Sequence, residues 1–398
     1  MQVDVLVAGA GLAGLECARS LGRAGLKVLL VDQKPTVDHA VHTTGIFVRH
    51  TLEDFDLPEE CLGPPVRRVV LLSPRGRPLA LESAHDEFRV GRMAALYRHT
   101  LEECLAAGVE WAPATRLAGV EPDGAESRVA LERGGRPLAV RTRFVVGADG
   151  ACSRVGPALG LDENRSWIVG VEEVFRGAGG DEPPAFHLWL DPVLAPGYLA
   201  WVVSDGEEVH LGVGGYADRF EPAAALRAFR ARVAARFGVA GLEPAERRGG
   251  RIPVGGVLRR IASPRGLLTG DAAGAVSPLT AGGLDPCLRL SALAARVAAE
   301  WIATGDPAVL AAYSGARFRA RFRTRILLRR LISHVRSPAA AELACAALRS
   351  PFLRPLAQRV FFGPGSFPDT EPPPRRGRAA RGGRPFAFAG SDPPAQKR

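Results

Sequence analysis

Lysine is almost missing from this chain. Only Lys27, Lys34 and Lys397 occur among 398 residues, so arginine carries nearly all the positive charge behind a net +10. Alongside abundant Ala, Gly and Pro, that skew fits the coding habits of a GC-rich genome. The excess gathers between Arg317 and Arg336 and after Gly365. Neither stretch interleaves arginine with stacking aromatics as a single-strand-binding face would, and no helix-turn-helix or zinc-finger spacing occurs. Nucleic acid is not an expected partner.

Other absences narrow the class further. The six cysteines (Cys17, Cys61, Cys104, Cys152, Cys287 and Cys345) form no C-x-x-C pair, and the eight histidines show no ligand spacing. Neither a disulfide framework nor a metal site is expected. No apolar run approaches the roughly 18 residues a membrane-spanning helix needs. The first residues, MQVDVLVAGAG, lack the basic, apolar, small-residue order of a secretory signal, so the expected location is cytoplasmic. Hydrophobic residues at 46% and charged residues at 24% are ordinary for a globular protein, and the length suits two or three domains.

What is present begins with an alternation. Val3 to Val7 reads as a buried strand, Gly14 to Arg23 as a helix and Lys27 to Val31 as a second strand, which together make a right-handed βαβ unit of a parallel sheet. Arg67 to Leu72 and Leu79 to Leu81 read as strands around a Ser-Pro-Arg-Gly turn. A helix from Arg92 to Ala107 follows, then a hairpin around Arg133-Gly134-Gly135 whose second strand ends in Val145-Val146-Gly147. Between Trp167 and Tyr216 the alternation predicts an inserted antiparallel sheet. Helices are predicted at 222–237, 284–304 and 307–335, and the Pro- and Gly-rich end reads as disordered.

Gly9-Ala10-Gly11-Leu12-Ala13-Gly14 is a G-x-G-x-x-G that follows a strand, opens a helix and precedes Asp32 at the end of the next strand. That is the setting of a dinucleotide site. Gly9 permits the tight turn, Gly11 leaves room for a pyrophosphate, and Gly14 lets helix and strand approach. Unpaired N–H groups at the helix start favour the phosphates, and Asp32 can accept hydrogen bonds from ribose hydroxyls.

Two later segments separate the candidate dinucleotides. Gly147-Ala148-Asp149-Gly150, followed by Ser153-Arg154, resembles the "DG" motif of flavoproteins. Gly270-Asp271-Ala272-Ala273-Gly274 resembles their "GD" motif, whose Asp binds the ribityl chain. With the first motif they resemble the p-hydroxybenzoate hydroxylase-like FAD superfamily over roughly residues 1–335. The resemblance implies an α/β protein: a discontinuous Rossmann-like FAD-binding domain (1–65, 90–155 and 262–306) with an inserted antiparallel substrate-binding β-sheet domain (66–89 and 156–261). A C-terminal helical segment (307–364) and a disordered basic tail (365–398) follow. It also implies that Arg92 lies near FAD, and that Pro278, Gly282 and Gly283 bring backbone N–H groups to the flavin.

The stretch from Gly270 to Gly283 is similar to that of the geranylgeranyl reductase family, as is Gly197-Tyr198-Leu199-Ala200-Trp201 followed by Gly212-Val213-Gly214. Tyr198 and Trp201 fit a sheet core equally well. The resemblance implies reduction of carbon–carbon double bonds in a hydrophobic substrate such as an isoprenoid, by hydride from reduced flavin N5. Hydroxylation of an aromatic or polyketide-like substrate through a flavin C4a-hydroperoxide is the alternative, and a non-enzymatic flavin scaffold is a third reading. A halogenase is nearly excluded, because the essential lysine that family carries has no suitably placed counterpart here and W-x-W-x-I-P is absent. Archaeal reductases carry a cysteine in the loop after the second strand. Here that loop reads Val41-His42-Thr43-Thr44-Gly45, so His42 is the candidate proton donor. No second G-x-G-x-x-G opens a helix, so NAD(P)H or a reduced protein would serve as a transient electron donor. Finally, Phe318, Phe322, Ile326, Leu327 and Leu331 form an apolar stripe among arginines on one predicted helix. Such a stripe suits peripheral contact with an anionic membrane.

Overall fold

The computed structural model describes residues 1–177 and 183–363. The expected disordered tail, 365–398, lies outside the described residues. Gln2–Ala8 passes through the helix Leu12–Arg23 into Val28–Val31, and the two strands pair in parallel with Val5 opposite Val28. Their apolar residues are buried, as in a parallel sheet covered on both faces. The sheet order is Ala262–Ser263, Gly266–Leu268, Arg136–Gly147, Gln2–Ala8, Val28–Val31, Glu110–Ala112. The helices Leu12–Arg23, Met93–Ala106 and Leu284–Thr304 pack together beside it and share its core. The carboxyl ends of three neighbouring parallel strands, at Ala8, Val31 and Gly147, therefore meet on one edge. That edge is where open α/β sheets bind ligands.

A second sheet lies over that edge. Its order is Glu246–Pro253, Trp167–Arg176, Glu208–Gly215, Ala200–Ser204, Ala185–Trp189, Arg68–Leu72, Pro78–Glu82. The sheet departs from the antiparallel expectation at one pairing, because Ala185–Trp189 runs parallel to Arg68–Leu72, with Phe186 opposite Val69. These two strands come from separate excursions of the chain. Their meeting is set by how the excursions pack, which local alternation does not encode. A small sheet of Ile46–Val48, Phe88–Gly91 and Leu62–Val66 joins the two layers.

The single helix expected at 307–335 is three: Pro307–Ala312, Gly315–Arg321 and Arg323–Ser333. Two contacts explain the first break. The Tyr313 hydroxyl donates to the Leu268 carbonyl at 2.8 Å, and Gly315 lies so close to Leu258 that a Cβ would sit 2.0 Å from its carbonyl oxygen. Phe318 and Phe322 are buried in the main core, not aligned on an outer stripe. Arg329 is buried too, stacked over Tyr198 and Tyr216. Only Leu327 and Leu331 of the expected stripe stay exposed, at 57% and 59%. Two further helices, Pro338–Leu348 and Arg354–Phe362, close against the edge strand Pro78–Glu82 through bonds such as Arg354 to the Ala80 carbonyl.

Candidate active site

Between the layers lies one cavity of about 1030 Å³. That is at the top of the roughly 300–1,000 Å³ range of small-molecule pockets, room for a dinucleotide and more. At one end it meets the glycine turn. Gly9 has φ +102°, and a Cβ there would strike the Ala148 carbonyl at 2.3 Å. Gly14 packs against the same turn: its Cβ would lie 1.7 Å from the Gly9 oxygen. Gly11 caps the helix with no side-chain hydrogen bond and has open space beside it. The first-turn N–H groups are thus left for a ligand. Asp32 lines the cavity while each of its oxygens holds a backbone amide, Ala10 at 2.7 Å and Lys34 at 2.8 Å.

Two carboxylates lie further along the cavity, and one of them shows unmet demand. Asp149 Oδ2 accepts from the Arg154 and Val155 amides at 2.7 and 3.1 Å, but its Oδ1 is buried without a partner. Asp271 also lines the cavity, and burial pushes its pKa up to about 6. Buried carboxylate oxygens cost free energy unless donors meet them, and the hydroxyls of a ribityl chain would be such donors. These residues fit FAD. Gly150, Gly282 and Gly283 line the cavity with them, whereas Gly14, Gly270 and Pro278 lie behind its wall. Gly283 begins the helix Leu284–Thr304 without a side-chain cap.

Arg92 is elsewhere. It does not line the cavity; its guanidinium bonds Asp205 at 2.8 Å, Glu207 at 2.6 Å and Glu208 at 3.1 Å. Three carboxylates offset its charge, so an ion-pair cluster, not the cavity, holds the guanidinium in this structure. His42 does reach the cavity, with Nδ1 2.9 Å from the Gly249 carbonyl. Burial, aided by the Lys34 charge, pushes its pKa down and favours the neutral ring. It is a poor store for a proton.

The roof supplies residues that the motifs did not identify as a site. The Tyr198 hydroxyl donates to the Thr280 carbonyl at 2.7 Å, tying the sheet to the Ser277–Gly283 loop. Trp201 lies across the cavity face, its Nε1 donating to Glu172 at 2.8 Å. Gly212 and Gly214 make room for these rings: their Cβ atoms would fall 2.2 Å from Trp201 and 2.8 Å from Tyr198. Glu172, Arg248 and Arg251 are charged lining there. A charged residue at an alternating position of a buried strand was the available signal. The far end is apolar, walled by Leu71, Phe88, Phe186 and Leu188 and closed by Leu348, Leu356 and Phe361 of the C-terminal helices. No sequence motif marked that wall.

The comparisons with known proteins agree with this geometry. A family profile described as "FAD binding domain" matches residues 2–324. Digeranylgeranylglycerophospholipid reductase 1 of Methanopyrus kandleri is 30% identical over 331 residues, covering 77% of this chain and 83% of that protein. A geranylgeranyl bacteriochlorophyll reductase-like structure from Thermoplasma acidophilum superposes with a TM-score of 0.79 at 20% identity, covering 91% of this chain and 96% of that one. The p-nitrophenol 4-monooxygenase of Pseudomonas putida shares the fold, with a TM-score of 0.63 at 20% identity over 90% and 93% of the two chains. The glycine turn, the two cavity carboxylates and the matched length converge: this chain belongs to the FAD-binding family that includes the digeranylgeranylglycerophospholipid reductases.

Proposed function

We propose that the protein is an FAD-dependent reductase that saturates carbon–carbon double bonds of a prenyl-chain lipid. The observation that carries this reading is the apolar chamber continuous with the cofactor end of the cavity, walled on two sides by Phe, Leu and Val side chains. Bound FAD, once reduced, supplies a hydride. The chain's own residues do the remainder. Gly9, Gly11 and the start of helix Leu12–Arg23 receive the pyrophosphate; Asp32 receives the adenosine ribose, and Asp149 and Asp271 the inner hydroxyls. Gly282 and Gly283 turn backbone N–H groups toward the ring. Tyr198 and Trp201 form the roof, and the apolar wall excludes water and holds the chain extended. NAD(P)H or a reduced protein delivers electrons transiently.

The same C-terminal segment that walls the chamber exposes Leu327, Leu331 and Leu343 on its helices and Phe352 in a turn, with Arg323, Arg330 and Arg336 also exposed. Each basic group near an anionic surface adds about 1 kcal/mol of attraction. We therefore place the chamber mouth against an anionic bilayer, from which a lipid tail can be drawn without crossing water. Among the described residues no helix is long and apolar enough to cross a membrane.

The test is anaerobic mixing of the dithionite-reduced, FAD-loaded protein with a digeranylgeranylglycerophospholipid. Return of the oxidised flavin spectrum, with two hydrogen atoms gained per double bond by mass spectrometry, is the expected result. Flavin that stays reduced with lipid, yet turns over with oxygen and an aromatic substrate to a hydroxylated product, refutes it.

A further inference from the structure

Hydride transfer to an isolated double bond leaves one carbon in need of a proton, and the apolar end of the chamber holds none. One line of charge crosses the roof sheet beside it. Glu172, 4% exposed, lines the cavity. Its Oε2 accepts from the Thr44 hydroxyl at 2.5 Å and from Trp201 Nε1 at 2.8 Å, and its Oε1 lies 3.2 Å from His210 Nδ1. His210 has no exposed surface, and its Nε2 lies 3.3 Å from Glu208 Oε2. Glu208 in turn accepts from Arg92 at 3.1 Å and from Arg176 at 3.2 Å, and the Arg176 side chain is 64% exposed. Strand register explains the alignment. Glu172, Glu208, His210 and Trp201 occupy alternating positions that share one face of paired strands, and Gly212 leaves the space among them.

We infer that Glu172 is the acid of this reduction and that His210, held between Glu172 and Glu208, stores the proton it delivers. The inference rests on the function proposed above. Two electrons and one proton pass as hydride from reduced FAD to one alkene carbon. The other carbon forms its new C–H bond with a proton from the Glu172 carboxyl, whose O–H bond breaks. That proton comes from His210 Nδ1–H, so the ring changes from imidazolium to neutral imidazole and keeps its Nε2–H on Glu208. Once product has left, water in the open cavity returns a proton to the pair through Glu172.

The electrostatics suit a store. Burial opposes charge on His210, but its bonds and attraction to Glu172, and its bond to Glu208, outweigh that and raise its pKa to about 9. Burial likewise opposes charge on Glu172, yet the His210 cation, the Thr44 bond and the Arg248 charge keep its pKa below the usual carboxylate value. Around the pair stand Arg248 from one neighbouring strand, Arg176 from Glu172's own strand and Arg92 at the start of helix Met93–Ala106. Their positive charge moderates the surplus of carboxylates and keeps the stored proton transferable.

Wild-type protein and the variants Glu172→Gln and Glu172→Ala, all FAD-loaded, are compared for FAD affinity, lipid affinity and single-turnover oxidation of reduced flavin by digeranylgeranylglycerophospholipid. Both variants should bind FAD and lipid as wild type does, with oxidation slowed about 100-fold or more, as loss of a general acid costs. Added formate, small enough for the space left in Glu172→Ala, should restore the rate. Nitrogen-15 NMR of the apoprotein should show the His210 ring as imidazolium at neutral pH. A rate within about threefold of wild type, a loss that formate does not restore, or a neutral His210 ring overturns the inference. If wild type itself does not react with the lipid, the proposed function falls with it; if wild type and Glu172→Gln react alike, this inference falls alone.

Discussion

Replacing Asp271 tests the cofactor site through stability as well as colour. Burial raises its pKa from 3.8 to about 6, so the folded apoprotein holds that proton more tightly than the unfolded chain does. Stability from such a group is complete below the unfolded value and is lost as pH climbs through the folded one. The loss accumulates between pH 3.8 and about 6 and then levels off. At about 1.4 kcal/mol for each tenfold change in proton affinity, it amounts to at most about 3 kcal/mol, and to about half that where cavity water screens the charge. Asp271→Asn keeps the shape and removes the charge. The apoprotein variant should therefore match wild type near pH 4 and be more stable by about 1–3 kcal/mol at pH 8. Added FAD should reverse the order. Wild type gains charge-assisted bonds of about 1.5–3 kcal/mol each, while Asp271→Ala should lose most of its FAD affinity. Paired thermal melts at pH 4 and pH 8, with and without FAD, measure all of this. An Asn variant no more stable than wild type at pH 8, or an Ala variant stabilised by FAD as strongly as wild type, would refute the reasoning.

Three other outcomes are expected. Gly14→Ala should forfeit about 3 kcal/mol or more and most FAD binding, since the new methyl collides with the Gly9 carbonyl; a wild-type melting curve would contradict this. Gly212→Ala should displace Trp201 from Glu172 at a cost of about 1–3 kcal/mol, seen as a shifted tryptophan emission; unchanged emission and melting would count against it. Wild-type protein should sediment with anionic liposomes in a salt-sensitive way, and Leu331→Glu with Phe352→Glu should weaken that binding about tenfold or more. Equal partitioning of both proteins onto neutral vesicles would dismiss the membrane-facing mouth.

The parts legible in the sequence were those that obey local rules. The βαβ unit could be read because Val3–Val7 and Val28–Val31 are continuous apolar runs around a glycine turn; Asp149 and Asp271, in glycine-flanked turns after strands, both reach the cavity. Helix Leu284–Thr304 matched its expected span because Gly305, at φ +67°, stops it sharply. The misreadings were tertiary. A 3.6-residue period across 307–335 does not register that Gly315 must dock on the Leu258 carbonyl. Arg92 is expected near FAD from the family resemblance alone, and its ion-pair partners Asp205, Glu207 and Glu208, more than a hundred residues away, could not be read locally. Glu172 and His210 are brought together by strand pairing across the sheet, and the chamber wall comes from helices with no motif of their own.

Asp32 carries a consequence for altering nucleotide choice. Its carboxylate is the clasp that fastens the Ala10 amide of the glycine turn to the strand beside it, and it buckles Lys34 with its other oxygen. Exchanging it for a neutral or basic residue, the usual way to invite a 2′-phosphorylated nucleotide, would unfasten the phosphate cradle in the same stroke. A change of preference here has to be made around Asp32, not at it.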